Sequence, residues 1–261
     1  MDLGLKGKKA VVTGGSKGIG YAVAAAFLAE GATVHLIARS ADGLADAARR
    51  LGTEHPGKTT TAAFDLGRPE DVAAAVSGVG DFDILVNNAG AIPPGGIDDV
   101  DDAAWRKAWD LKVLGYINMT RAAYRHMRDR GSGAIVNVIG IAGEATDVNY
   151  LAGTSGNAAL IQFTKAIGCN SIDSGVRIVG VNPGAVATDR VMRLMRGRAE
   201  REHGDPEKWQ GYMKNLPLQR PATPEEVADP IVFLASPRAG YISGTILTID
   251  GGKTSRWGLY S

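Results

Sequence analysis

One cysteine, Cys169, stands among 261 residues. An internal disulfide is therefore excluded, and with no thiol-activating cluster beside it Cys169 is read as a buried structural thiol. Histidine is scarce as well: His35, His55, His126 and His203 are scattered without ligand spacing, so no metal site is expected. Neither sign of charge dominates, with 29 basic against 28 acidic side chains interspersed along the chain. That balance lacks the electrostatic footprint of a nucleic-acid or anionic-membrane binder. No apolar run is long enough to span a bilayer, and Met1 to Lys9 lacks the apolar core of a signal peptide, so a cytoplasmic protein is expected. Linkers, low-complexity tracts and internal repeats are missing too, and the chain reads as a single domain over 1–261.

What the chain does have begins with Ala10-Val11-Val12, followed by Thr13-Gly14-Gly15-Ser16-Lys17-Gly18-Ile19-Gly20 and then the helix-like stretch Tyr21 to Leu28. A strand that feeds a glycine-rich turn into a helix lets bare backbone approach a pyrophosphate, with the positive end of the helix dipole aimed at it. β-rich apolar runs recur at Thr33–Ile37, Thr59–Phe64, Ile84–Val86, Ile135–Val138, Val176–Val181 and Thr245–Ile249, alternating with helix-like stretches. Several are apolar throughout, as in a parallel sheet covered on both faces. The expected fold is α/β, a doubly wound parallel sheet of Rossmann type with helices on both faces.

Thr13-Gly14-x-x-x-Gly18-x-Gly20, Asn87-Asn88-Ala89-Gly90, Asn182-Pro183-Gly184 with Thr188, and the closing segments Pro224 to Ala228 and Asp250-Gly251-Gly252 together resemble the short-chain dehydrogenase/reductase family over nearly the whole chain. The resemblance implies that Gly14, Ser16, Lys17, Gly18, Ile19 and Gly20 line the cofactor phosphates and that Asp65 and Leu66 flank the adenine. It places Asn88 and Gly90 along the adenosine ribose, and Pro183, Gly184, Val186 and Thr188 around the nicotinamide. An acid at the end of the second strand would repel a 2′-phosphate; here Ala38 is followed by Arg39 and Ser40. With Lys17, Arg39 forms a basic pocket, and NADP(H) is expected over NAD(H).

The catalytic half departs from that pattern. Aligned on Trp105 to Asp110, on Gly133 to Val138 and on Ala158 to Lys165, the family's Asn, Ser, Tyr and Lys positions fall on Lys112, Gly140, Gly153 and Asn157. Asn157 remains able to bind the nicotinamide ribose hydroxyls. Tyr150 lies about one turn before Gly153, and Tyr150 with Lys112 forms a conceivable substitute pair for proton transfer. The stretch from 189 to about 215 corresponds to a mobile substrate lid, in which Arg190, Arg193 and Arg196 form a stripe that could grip a carboxylate or a coenzyme A ester; a solvated helix face explains it equally well.

Three readings of function remain open at this stage. The first is an NADP(H)-dependent oxidoreductase with non-standard proton transfer on an undetermined small molecule. The others are a non-redox enzyme reusing a glycine-vacated cavity and a catalytically silent dinucleotide-binding protein. Simple ketones are expected to turn over negligibly. A homo-oligomer, specifically a tetramer, is expected through two long helices from about Trp105 to Met127 and Ala152 to Ser171.

Overall fold

The computed structural model describes residues 1–256, apart from the side chain of Arg190. Its strands are β1 (Lys9–Thr13), β2 (Thr33–Ala38), β3 (Thr59–Ala63), β4 (Ile84–Asn87), β5 (Gly133–Val138), β6 (Val176–Pro183) and β7 (Ile246–Ile249). All pair in parallel, in the order β3-β2-β1-β4-β5-β6-β7. Strand β4 is buried along its whole length and β6 at every position but Arg177, whereas the edge strand β3 is largely exposed. That contrast explains why the inner strands read as unbroken apolar runs while β3 is rich in threonine.

Helices α1 (Gly18–Ala29), α2 (Ala41–Glu54), α3 (Pro69–Val79), α4 (Asp102–Trp109), α5 (Gly115–Arg130), α6 (Leu151–Ser171), α7 (Asp189–His203) and α8 (Pro224–Ala235) cover the sheet. One apolar layer joins α1 and α8 to a sheet face through Val23, Phe27, Leu36, Val179 and Ile231. The opposite layer seats α3 and α5 through Val72, Met119, Met127 and Ile135. This confirms the doubly wound Rossmann-type α/β expectation.

The first long helix of the sequence reading is in fact α4 and α5 joined through a π turn at Asp110–Leu114. An i→i+5 turn inserts a residue into the helical register, and it carries Lys112 inward, to 7 % exposure. Cys169 is exposed, against the expectation of a buried thiol. The inward stripe of α6 runs Leu160, Ile161, Thr164, Gly168 and Ser171, and position 169 falls beside it.

A polar seam crosses the apolar interior. Asn87 Nδ2 donates to Thr120 Oγ1 (3.1 Å) and to Asn137 Oδ1 (2.9 Å), Asn137 Nδ2 donates to Thr164 Oγ1 (2.9 Å), and Thr164 Oγ1 donates to the Leu160 carbonyl (2.7 Å). It ties β4 and β5 to α5 and α6 just below the carboxyl ends of the strands, where a doubly wound sheet places its ligand crevice. Among the described residues no helix is long and apolar enough to cross a membrane.

Candidate active site

A cleft of about 1650 Å³ runs along the carboxyl ends of the strands. A drug-sized ligand occupies roughly 300–1,000 Å³, so the cleft has room for a dinucleotide and a second molecule. One end is the turn between β1 and α1. Gly14 (φ +65°) and Gly18 (φ +57°) adopt the left-handed conformation that the turn demands. A Cβ on Gly20 would meet the Gly14 carbonyl oxygen at 2.4 Å, so only glycine lets α1 start this close to the strand. Lys17, the residue before α1, makes no side-chain cap. The first N–H groups of the helix are left to an outside acceptor.

Asn88 braces the same turn. Its Nδ2 donates to the carbonyls of Thr13 (3.1 Å) and Gly14 (3.3 Å), while Thr13 Oγ1 accepts from the N–H groups of Asn88 (2.9 Å) and Ala89 (3.0 Å). Gly14, Ser16, Lys17, Gly18, Ile19, Arg39, Leu66, Asn88, Gly90, Asn157, Pro183, Gly184, Val186 and Thr188 all line the cleft. Gly20 and Asp65 stand behind its wall. Asp65 Oδ1 accepts from the Gly67 N–H (3.1 Å), and Phe64 presents its ring to the cleft in its place. Tyr21 and Arg50, not singled out from the sequence, also line this end; the guanidinium of Arg50 lies 4.4 Å from the Tyr21 ring centroid.

The other end gathers Lys112, Gly140, Tyr150 and Asn157 on its wall, with Gly153 buried directly behind Tyr150. Lys112 Nζ donates to the Val138 carbonyl (2.7 Å) and to Tyr116 Oη (2.8 Å), and lies 4.3 Å from the Tyr116 ring centroid. Tyr116 Oη in turn donates to the Val138 carbonyl (2.9 Å). These contacts hold the buried Lys112 side chain at the carboxyl end of β5.

The space left by the two glycines is not empty. A Cβ on Gly153 would fall 2.0 Å from Cε1 of Tyr150, so the phenol ring occupies the volume through which a side chain at 153 would project. Tyr150 gets there as the cap of α6, in a non-helical conformation (φ −145°, ψ 42°) at a backbone bridge to Gly95, where the Gly95 N–H donates to the Asn149 carbonyl (2.7 Å) and the Leu151 N–H to the Gly95 carbonyl (3.2 Å). Next to it, a Cβ on Gly140 would meet Asn157 Nδ2 at 3.1 Å, and Gly140 has φ +136°, a region that disfavours any side chain. The space beside Gly153 is thus filled by the phenol ring, and the Asn157 amide stands close to Gly140, which itself faces the open cleft.

Asn157 is 4 % exposed, and its Oδ1 has no hydrogen-bond partner. A buried amide oxygen left unpaired costs roughly 1–3 kcal/mol, and a ribose hydroxyl in the cleft is a donor that would satisfy it. The uncapped helix start, the left-handed glycines and this orphaned oxygen fit a nicotinamide dinucleotide laid along the cleft.

Helix α7 closes the outer side, starting from Thr188, whose Oγ1 accepts from the Val191 N–H (3.4 Å). It presents Val191, Leu194, Met195, Arg198 and Arg201 to the cleft. Of the arginine stripe expected from the sequence, Arg193 and Arg196 lie off the cleft wall, Arg196 pairing with Glu207 (3.6 Å), and the side chain of Arg190 lies outside the described residues. A helix from Val191 at spacings of three and four would have pointed to Arg198, but which stripe faces inward is decided by packing.

Residues 8–199 match the family model described as short chain dehydrogenase. The chain is 35% identical over 252 residues, 96% of each protein, to galactitol 2-dehydrogenase (L-tagatose-forming) of Cereibacter sphaeroides. It is 30% identical over 258 residues, again 96% of each, to 7alpha-hydroxysteroid dehydrogenase of Escherichia coli strain K12. Among solved structures, L-sorbose reductase from Gluconobacter frateurii, complexed with NADPH and L-sorbose, superposes with a TM-score of 0.91 at 35% identity, covering 98% of this chain and 100% of that one.

Proposed function

Because the chain belongs to the short-chain dehydrogenase family, we propose that it is an NADP(H)-dependent oxidoreductase interconverting a carbonyl and a secondary hydroxyl, with Tyr150 transferring the proton in place of a tyrosine at 153. The observation that carries this reading is the overlap of the Tyr150 ring with the side-chain path of position 153.

A bound nicotinamide supplies or takes the hydride. The chain's own residues hold the dinucleotide through the uncapped start of α1 and through Asn157 Oδ1, which accepts from a ribose hydroxyl. Tyr150 gives its proton to the substrate oxygen or takes one from it. Lys112, on the same end of the cleft and anchored on Val138 and Tyr116, stands in for the lysine that position 157 would otherwise bring. In this reading Gly140 leaves the substrate oxygen without a serine hydroxyl, so unactivated simple ketones are poor substrates.

The test is transfer of deuterium from C4-labelled NADPH to a carbinol carbon in a panel of carbonyl compounds. Label in product supports the reading. Nucleotide binding without transfer to any member would leave a silent binding protein.

Selectivity for the phosphorylated cofactor is proposed on Lys17 and Arg39 facing the cleft with Ala38 beside them, and the NADPH bound to L-sorbose reductase is consistent with it. Replacing Arg39 by Asp removes a charge-assisted contact worth about 1.5–3 kcal/mol and adds repulsion. Calorimetry is expected to show NADPH affinity falling by about tenfold or more and NADH affinity holding or rising. Tighter binding of NADH by the unmodified protein would refute the assignment.

We further propose that α7 and the 3₁₀ segment Pro206–Asn215 that packs on it act as the substrate lid, and that the chain assembles as a homotetramer through α5 and α6. Leu114, half exposed at the π turn between α4 and α5, would be covered in that assembly. Light scattering at micromolar concentration is expected to give the tetramer mass, and a monomer mass refutes the assembly.

A further inference from the structure

The two glycines at the catalytic end leave different spaces. The side-chain path of Gly153 is occupied by the Tyr150 ring. The point where a Cβ on Gly140 would stand has, apart from its chain neighbours, only the Asn157 amide within 4 Å, with Nδ2 at 3.1 Å and Cγ at 3.9 Å. Gly140 and Asn157 both line the cleft, so this space opens toward a ligand. An N–H donor and an oxygen acceptor pair at about 2.7–3.2 Å. An oxygen atom at that point would therefore accept a hydrogen bond from Asn157.

Packing on both sides sets that distance. Strand β6 holds Gly140 through Asn182, whose Oδ1 accepts from the Gly140 N–H (3.3 Å), and the Ile139 N–H donates to the Val181 carbonyl (2.7 Å). The turn that follows lies directly on α6. A Cβ on Gly143 would meet the backbone of Asn157 and Ala158 at 2.8 Å and Ile161 Cδ1 at 2.6 Å, so only glycine permits the approach. The Asn157 side chain is buried there with its Oδ1 unpaired, an amide whose hydrogen-bonding capacity is left for ligands. Because φ +136° disfavours a serine at 140, a donor to a substrate oxygen has to come from a neighbouring element, and α6 brings one.

The geometry points to an oxygen subsite in front of Gly140, in which the Asn157 amide N–H donates to the substrate oxygen while Asn157 Oδ1 accepts from the cofactor ribose. One side chain then touches cofactor and substrate together. This rests on the oxidoreductase reading above and adds a catalytic residue to it. In the reductive direction the carbonyl carbon takes the hydride from reduced nucleotide, the C=O π pair moves onto oxygen, and the growing negative charge meets a donor already in place. That oxygen then takes the Tyr150 proton. The products are the hydroxyl compound and oxidised nucleotide, and solvent reprotonates the phenolate. The amide keeps both its protons throughout, so Tyr150 alone carries the proton.

The test has a structural arm and a kinetic arm. A crystal structure of the NADP⁺ complex, with solvent as the probe, is expected to show an ordered oxygen within about 3.2 Å of the Asn157 amide nitrogen on its Gly140 side. Asn157→Asp keeps an acceptor for the ribose but loses the N–H. It is expected to lower kcat by about a hundredfold to a thousandfold, measured on the carbonyl compound that takes deuterium fastest, while NADPH affinity stays close to that of the unmodified protein. Asn157→Ala loses both contacts and is expected to weaken NADPH binding by about tenfold as well. Unchanged kcat in Asn157→Asp, with only NADPH affinity lost in Asn157→Ala, would make Asn157 a ribose ligand alone; the subsite is then overturned and the oxidoreductase reading stands. An NADP⁺ complex in which both amide atoms turn to the ribose, with no oxygen before Gly140, overturns the subsite without any turnover being measured, and decides alone if a buried carboxylate unfolds the Asp variant. If no compound takes label, the oxidoreductase reading falls, and an oxygen at this point in the crystal still upholds the subsite.

Discussion

Tyr150→Phe is expected to lower kcat by about a hundredfold to ten-thousandfold, the usual worth of a positioned acid or base, while NADPH affinity stays unchanged. The phenylalanine ring still fills the space beside Gly153, so packing and the start of α6 are preserved and only the hydroxyl is lost. Rapid-mixing measurement of the hydride step isolates the effect from product release. Deuterium substitution at C4 of NADPH then shows whether that step has become fully rate-limiting. A variant that keeps its rate with its best substrate would hand proton transfer to solvent and remove Tyr150 from the mechanism.

Gly153→Ala is expected to do nearly the same damage without touching the hydroxyl. In an ordinary helix this change stabilises by roughly 0.5–1 kcal/mol. Here the new methyl would sit 2.0 Å from Cε1 of Tyr150, and the ring must swing off the cleft wall or the cap of α6 must shift. Overpacking of this kind costs about 1–3 kcal/mol, so denaturant unfolding should show a net loss of stability together with a fall in kcat of at least about a hundredfold.

The double replacement Tyr150→Gly with Gly153→Tyr distinguishes crowding from chemistry, because it removes the ring that blocks position 153. It is expected to recover stability relative to Gly153→Tyr alone. Unaltered stability and rate in Gly153→Ala would show that the ring is not confined where the structure places it. Adding Gly140→Ser would strain a backbone held at φ +136°, so the full serine, tyrosine and lysine set cannot be restored by side chains alone.

The sheet was legible in the sequence because burial on both faces demands continuous apolar strands, and the loop at Gly14 to Gly20 because a phosphate-binding turn needs glycine at fixed spacing. Even the threonine-rich β3 gave its place away through β-branched residues. The site was legible only as an inventory. That a glycine stands at 153 is read by counting along α6, but that Tyr150 fills its space depends on the non-helical dihedrals of one capping residue, which no periodicity encodes.

Lys112 was found by alignment, yet its burial arises from a π turn that a period of 3.6 does not register. The arginine stripe on α7 was hidden for a different reason. Arginines recur on more than one stripe of α7, and contact with the rest of the molecule turns Arg198 and Arg201 inward instead of Arg193 and Arg196.

The seam of Asn87, Asn137, Thr120 and Thr164 constrains how this protein can change over generations. Apolar replacement of both partners in a buried hydrogen bond can be nearly neutral, whereas replacing one strands the other. Asn137→Leu would take one acceptor from the Asn87 amide on β4 and the donor that reaches the Thr164 hydroxyl on α6, leaving them only Thr120 and the Leu160 carbonyl, so a lineage moves toward an all-apolar version of this interior more readily by changing several of these positions together. On the outer side of the cleft the side-chain pairs of α7 are exposed, such as Arg198 with Glu202 and Tyr212 with Glu202, and breaking one strands no buried group. The molecule can therefore drift in what it acts upon while the platform beneath stays chemically frozen.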